Sequence, residues 1–273
     1  MRNIERLFEG KRPVPGMRPS ARDNPADTLG AETIIAVPIS ERIDDPGADS
    51  APEPTAIPAP EPATLSPGPE LLYAHEPNGA RSERIRVLRT RLSLQQGYAG
   101  DANTVAVLGA CPGEGRSLLA AELALSFAQF NRPTLLVDVD FRNPRQHRLF
   151  GAGGEEGLAQ AIASHGTPLY QSVQGYPSLS LLTAGARPDN PLELLMDWRF
   201  ESLVREWQHS YEFIVLDTPP AGLYSDALAV ATVVGRVLLV YRARHTREKD
   251  AREMVHRLKS TNAQIVGSAL SHF

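Results

Sequence analysis

The chain has 273 residues, enough for one α/β domain of ordinary size with an extended appendage. Its 28 Lys and Arg against 32 Asp and Glu give a formal net charge of −4, which argues against bulk attraction to nucleic acid. The single cysteine, Cys111, excludes an intrachain disulfide. No apolar run approaches the roughly 18–20 residues that span a bilayer, and MRNIERLFEGKR is too polar for a secretory leader, so a soluble cytoplasmic protein is expected.

Met1 to Gly10 can form a short amphipathic helix with Ile4, Leu7 and Phe8 on one side, read either as a docking peptide or as a frayed end. From Lys11 to Pro69 the composition turns to proline, alanine and glutamate, most clearly in APEPTAIPAPEPATLSPGPE. Such a stretch buries too little apolar surface to offset its ordering entropy, so residues 1–70 are expected to be a disordered spacer. The apolar island TIIAVPI, Thr33 to Ile39, is a docking strand or part of that spacer. Residues 71–273 are expected to form the folded domain.

Glu76 to Gln96 reads as a helix, because Ile85, Leu88 and Leu92 recur at helical spacing. Glu83, Arg86 and Arg89, three apart, would share one side of it, open to a partner or merely solvated. Thr104 to Leu108 then reads as a buried strand, followed by a glycine-rich turn and the helix LLAAELALSFAQF. Strand, glycine loop, helix is the arrangement of a phosphate-binding P-loop. Cys111, Pro112, Gly113, Glu114, Gly115, Arg116, Ser117 and Leu118 are the residues expected to bind the nucleotide. The glycines allow an anion-binding nest of amides, the helix start adds its positive dipole end, and Ser117 supplies a hydroxyl where a P-loop holds Mg²⁺. Arg116 occupies the place of the usual lysine, keeping the charge and changing its shape.

A second core strand, Thr134 to Val137, runs into Asp138-Val139-Asp140-Phe141-Arg142. Two carboxylates at alternate positions would face the same way and call for a cation, nucleotide-bound Mg²⁺, or else form an N-cap and a solvated turn. Beyond it come a short helix, a glycine turn, another helix and a third strand at Leu179 to Leu182. NPLELLM and DWRFESLVREWQHS read as helices, with Asn190 and Asp197 as N-caps and Trp198 and Trp207 as packing residues. EFIVLDTPP is a fourth strand ending in Asp217, the Walker B pattern of an acid near Mg²⁺. YSDALAVATVVG, RVLLVYRA, His245 to Ser260 and Gln264 to Leu270 read as helix, strand, basic helix and strand. This alternation implies an α/β fold, a parallel β-sheet flanked by helices, with Ser117, Asp138, Asp140 and Asp217 at one edge.

From about Leu71 onward the chain resembles the bacterial tyrosine kinases of the P-loop type, autokinases of capsule and exopolysaccharide export. LLVDVDFR resembles that family's second Walker box, FIVLDTP its Walker B box, and ERIRVLR its E-x-x-R-x-x-R helix. NPLELL and the PGEG turn are also similar. The resemblance implies an ATP- and Mg²⁺-dependent tyrosine autokinase with Arg116 on the β- and γ-phosphates. It implies a metal held by Ser117, Asp217 and Asp138, with Asp138 or Asp140 orienting the metal or accepting the tyrosine proton. It further implies a ring-like homo-oligomer built through Glu83, Arg86 and Arg89. The membrane partner would be a polysaccharide chain-length regulator on a separate chain, holding the kinase at the inner face of the plasma membrane. In place of the family's C-terminal tyrosine cluster the chain ends GSALSHF, leaving Tyr73 and Tyr98 as acceptors by expected exposure. Alternatives are a nucleotide-binding scaffold of low turnover with the same partner, a positioning or partition ATPase, and a metabolic kinase.

Overall fold

The computed structural model describes residues 61–94 and 103–271. The expected N-terminal helix, the apolar island at Thr33 to Ile39, and Tyr98 lie outside the described residues. One sheet of eight strands organises the rest. In chain order these are β1 (Glu61–Leu65), β2 (Asn103–Gly109), β3 (Thr134–Asp138), β4 (Gln171–Val173), β5 (Tyr176–Leu182), β6 (Phe213–Asp217), β7 (Arg236–Arg242) and β8 (Gln264–Ser271). Their order across the sheet is β1-β4-β5-β3-β6-β2-β7-β8, and every pairing is parallel except β4 with β5.

The central strands β3 and β6 are buried at every position, which is why both read as unbroken apolar runs. Helices α1 (Leu72–His75), α2 (Ala80–Leu94) and α3 (Arg116–Ala128) contribute to the core on one face. Helices α5 (Leu158–Ala163), α6 (Pro191–Leu195), α7 (Trp198–Ser210), α8 (Asp226–Val234) and α9 (Glu248–Leu258) contribute to the other, and the short α4 (Gln146–Phe150) follows β3. Alternate residues of β3 divide accordingly: Leu135 and Val137 enter one core, Leu136 the other. Register then places Asp138 of β3 opposite Asp217 of β6, and Asp217 opposite Val107 of β2, so the carboxyl ends of three neighbouring strands are level.

Several expectations are corrected. The described residues begin at Glu61, inside the stretch expected to be a spacer: β1 pairs with β4 at the sheet margin, where a proline such as Pro62 withholds no ladder bond from the interior. Tyr73 is not an exposed acceptor. Its ring is buried and its hydroxyl donates to Gln129 Oε1 at 2.5 Å. Glu83, Arg86 and Arg89 do not share one open side: Arg89 turns inward, donating to the Ser126 carbonyl at 2.7 Å with its guanidinium 3.9 Å from the Phe130 ring centroid. The hairpin β4–β5, closed at Gly175 with φ 79°, has a first strand of three residues, too short for a periodic signal. Asp197 caps α7 through the Arg199 amide at 2.7 Å, whereas the Asn190 side chain makes no cap bond to α6. Trp207 is buried and donates to Tyr170 Oη, but Trp198 is exposed.

Candidate nucleotide-binding site

The loop between β2 and α3 takes its shape from two glycines in the left-handed region, Gly113 at φ 76° and Gly115 at φ 91°. A side chain at either would be strained, and a Cβ at Gly109 would lie 2.3 Å from Glu114 Oε2. Glu114 is buried and works for the loop. Its Oε2 accepts from the Cys111 amide at 2.9 Å, and its Oε1 accepts from Thr246 Oγ1 at 2.5 Å. Burial raises the Glu114 pKa above the ordinary carboxylate value, while these donors pull it back. The end of β7 and the segment that follows it strap the loop down further. Arg242 donates to the Gly113 carbonyl at 3.0 Å, and His245 Nε2 lies 2.9 Å from the Pro112 carbonyl.

Above this loop opens a cavity of about 470 Å³. Pro112, Gly113, Gly115, Arg116, Ser117 and Leu118 line it, together with Asp140 from the end of β3. Cys111 and Glu114, expected among the binding residues, support the loop from behind. Arg116 is 8% exposed and its guanidinium bends back to donate to the Cys111 carbonyl at 3.0 Å.

The three carboxylates at the strand ends differ in their partners. Asp138 is buried, and its oxygens accept from the amides of Asp140, Arg145 and Gln146 at 2.9–3.1 Å. Asp140 accepts from the Arg142 and Asn143 amides and faces the cavity. Asp217 is buried; Oδ2 accepts from Gln146 Nε2 at 2.8 Å, while Oδ1 has no hydrogen-bond partner among the described residues. Burial pushes the Asp217 carboxyl up to about 6, against the opposing pull of the Ser117 hydroxyl and the Arg116 guanidinium. Asp138 is raised well above the ordinary range by the same burial and by the negative charge of Asp217 across the register. Asp140 is raised by burial and held back chiefly by the Asn143 amide.

Two site residues were missed in the sequence. Gln146 bridges the Ser117 carbonyl and Asp217, and its own amide caps Asp138, so one side chain joins loop helix, β6 and α4. Asp226 at the start of α8 holds Arg142 through two bonds, 2.5 and 3.1 Å, while that guanidinium lies 4.1 Å from the Tyr224 ring centroid. Neither residue belongs to a local pattern. Each is recognisable only when distant elements meet.

Among the described residues no group of three or more His, Cys, Asp or Glu side chains could hold a metal by itself. The site suits a different mode, in which protein supplies few ligands and phosphate and water the remainder. The buried, unpartnered Asp217 Oδ1 beside Ser117 fits such a cation, and the left-handed glycines and helix start fit its phosphates.

A glycine loop at the carboxyl edge of a parallel sheet, with a buried acid ending the adjacent strand, defines a P-loop nucleotide-binding protein. No protein-family model matches the chain. Tyrosine-protein kinase YwqD of Bacillus subtilis is 31% identical over 198 residues, covering 72% of this chain and 83% of that one. The chain belongs to the bacterial tyrosine-protein kinase family. It is 32% identical to tyrosine-protein kinase etk of Escherichia coli over 73% of this chain and 28% of the longer relative. The solved kinase domain of that enzyme superposes with a TM-score of 0.70 at 30% identity, covering 74% of this chain and 79% of that domain. The septum site-determining protein MinD of Pyrococcus horikoshii, solved with Mg-ADP, shares the fold alone, at 20% identity and TM-score 0.51 over 61% and 69% of the two chains. No helix among the described residues is long and apolar enough to cross a membrane.

Proposed function

We propose that this chain is an ATP- and Mg²⁺-dependent protein-tyrosine autokinase regulating capsule or exopolysaccharide polymerisation and export. The observation that carries the reading is the meeting of Ser117, Asp140 and the half-satisfied Asp217 around one glycine loop. The amides of Gly113 to Ser117 would hold the β- and γ-phosphates, joined by the Arg116 guanidinium once it exchanges the Cys111 carbonyl for phosphate oxygen. Ser117 and Asp217 would hold the magnesium, which would supply neutralising charge at the phosphate oxygens. Asp140 takes the proton of the acceptor hydroxyl, since it faces the cavity and its pKa is raised. Asp138, its oxygens occupied by three amides, is a positioning residue that shapes the turn carrying Asp140. Most of the rate enhancement then comes from positioning and fixed charge.

Glu83 and Arg86 remain on the surface of α2 and are the groups for ring assembly, with Arg89 holding α2 against α3. The membrane partner is a polysaccharide chain-length regulator on a separate chain, as the family resemblance implies, and it keeps the kinase at the inner face of the membrane.

The bond from Arg116 to the Cys111 carbonyl favours a second reading, a nucleotide-binding scaffold with little turnover. Incubation with Mg-ATP and detection of phosphotyrosine separates the two. Signal in the wild type, falling about 100-fold or more in Asp140→Asn, supports the kinase. Signal only in Arg116→Lys assigns the scaffold. Absence of calorimetric heat with Mg-ADP overturns both.

A further inference from the structure

Five arginines line the cavity, and three are committed to the protein itself. Arg116 holds the Cys111 carbonyl, Arg142 holds Asp226, and Arg242 holds the Gly113 carbonyl. Arg145 and Arg187 differ. Arg145 lies between β3 and α4, Arg187 between β5 and α6, and both are exposed. Neither side chain has a hydrogen-bond or carboxylate partner among the described residues. The cavity carries two carboxylates, Glu70 and Asp140, against the five guanidiniums, so its mouth is cationic although the whole chain is anionic.

Position in the sheet separates this pair from the phosphates. The glycine loop follows β2, whereas Arg145 follows β3, two strands away, and Arg187 follows β5, three strands away. At about 4.8 Å per strand, those elements are rooted roughly 10 and 14 Å from the loop's own strand. Between them, after β6, the exposed Leu223 borders the same cavity as Asp140 and offers an apolar surface, next to the Tyr224 ring that carries the Arg142 guanidinium. An aromatic ring resting there would bring its hydroxyl toward Asp140 and its flanking residues toward Arg145 and Arg187.

We propose that Arg145 and Arg187 select the acceptor: a polypeptide segment whose tyrosine is flanked by aspartate or glutamate. This rests on the kinase reading and adds a substrate class to it. Two exposed charge pairs together are worth about tenfold in affinity, and they weaken as salt rises.

The test is fluorescence anisotropy of the full chain loaded with Mg-ADP, using labelled tyrosine peptides with acidic or with basic flanks. The acidic peptide is expected to bind about tenfold tighter, with the difference shrinking at high salt. Arg145→Ala/Arg187→Ala abolishes the difference and leaves Mg-ADP affinity unchanged, while Arg145→Lys/Arg187→Lys largely keeps it. Equal binding of both peptides by the wild type overturns the proposal. So does a parallel loss of Mg-ADP affinity in the alanine variant, which would give the arginines to the nucleotide. Acidic selectivity without phosphotyrosine on any peptide supports the basic rim and counts against the kinase reading alone.

Discussion

At the scale of single residues, the carboxylates show how neighbours divide one chemistry into different tasks. Asp138 and Asp140 are two positions apart and alike in sequence, yet one is occupied by backbone amides and the other faces the cavity. Asp217 has a measurable signature. Its carboxyl is raised to about 6, so between the ordinary carboxylate value and about 6 the folded protein holds a proton that the unfolded chain has released. Its contribution therefore makes the ligand-free protein less stable as pH rises through that window, with the loss complete above it. Cation binding needs the ionised form. Calorimetry is expected to show Mg-ADP affinity rising through about pH 6, with the magnesium-dependent part fading below it. In Asp217→Asn that pH dependence disappears together with the magnesium requirement. Arg116, identified in the sequence as a departure from lysine, keeps its place in the cavity; its attachment to the Cys111 carbonyl depends on the loop's folded path.

At the scale of elements, α2 and α3 form a unit that the helical pattern of α2 only partly foretells. Ile85 and Leu92 are buried as their spacing requires. The stronger ties are polar: Arg81 Nε donates to both oxygens of the buried Glu122, and Arg89 bonds Ser126. Glu122 sits mid-helix in an otherwise apolar segment, where an unpaired charge is costly. Its pKa is raised by burial and brought back by Arg81. Arg81→Ala is expected to cost about 3 kcal/mol, read as a lowered midpoint in denaturant, because the remaining carboxylate stays buried without its partner. Changing Glu122 to Met in the same chain should recover much of that stability. The Asp197 cap is a local feature and was legible as such: Asp197→Ala should cost about 1 kcal/mol. Tyr73 was misread because no periodicity announces that a tyrosine after a proline-rich stretch will lie beneath α2 and α3.

At the scale of the whole molecule, the sheet sets where chemistry occurs. Parallel pairing of β2, β6 and β3 in register brings three separate sequence segments level at one edge. The opposite consequence falls on the margins. β1 covers the β4 side of the sheet, so a chain starting at residue 57 is expected to melt higher than one starting at residue 71, which exposes that edge. Comparing the two melting temperatures tests this, and equal values would mean that β1 contributes nothing to the fold.

By itself the sequence determined the order of β2, β3, β5, β6, β7 and β8 and of the longer helices between them, the glycine loop, and the acids at the ends of β3 and β6. Each of these is written in neighbouring residues, through apolar runs, turn glycines and the polar residue that stops a run. Only the tertiary structure decided which acid faces the cavity, that Gln146 and Asp226 belong to the site, that Arg89 is internal, and that a proline-bearing strand closes the sheet margin. Those outcomes depend on pairing between segments tens of residues apart, and the free energy of such a contact belongs to both partners rather than to either stretch of chain.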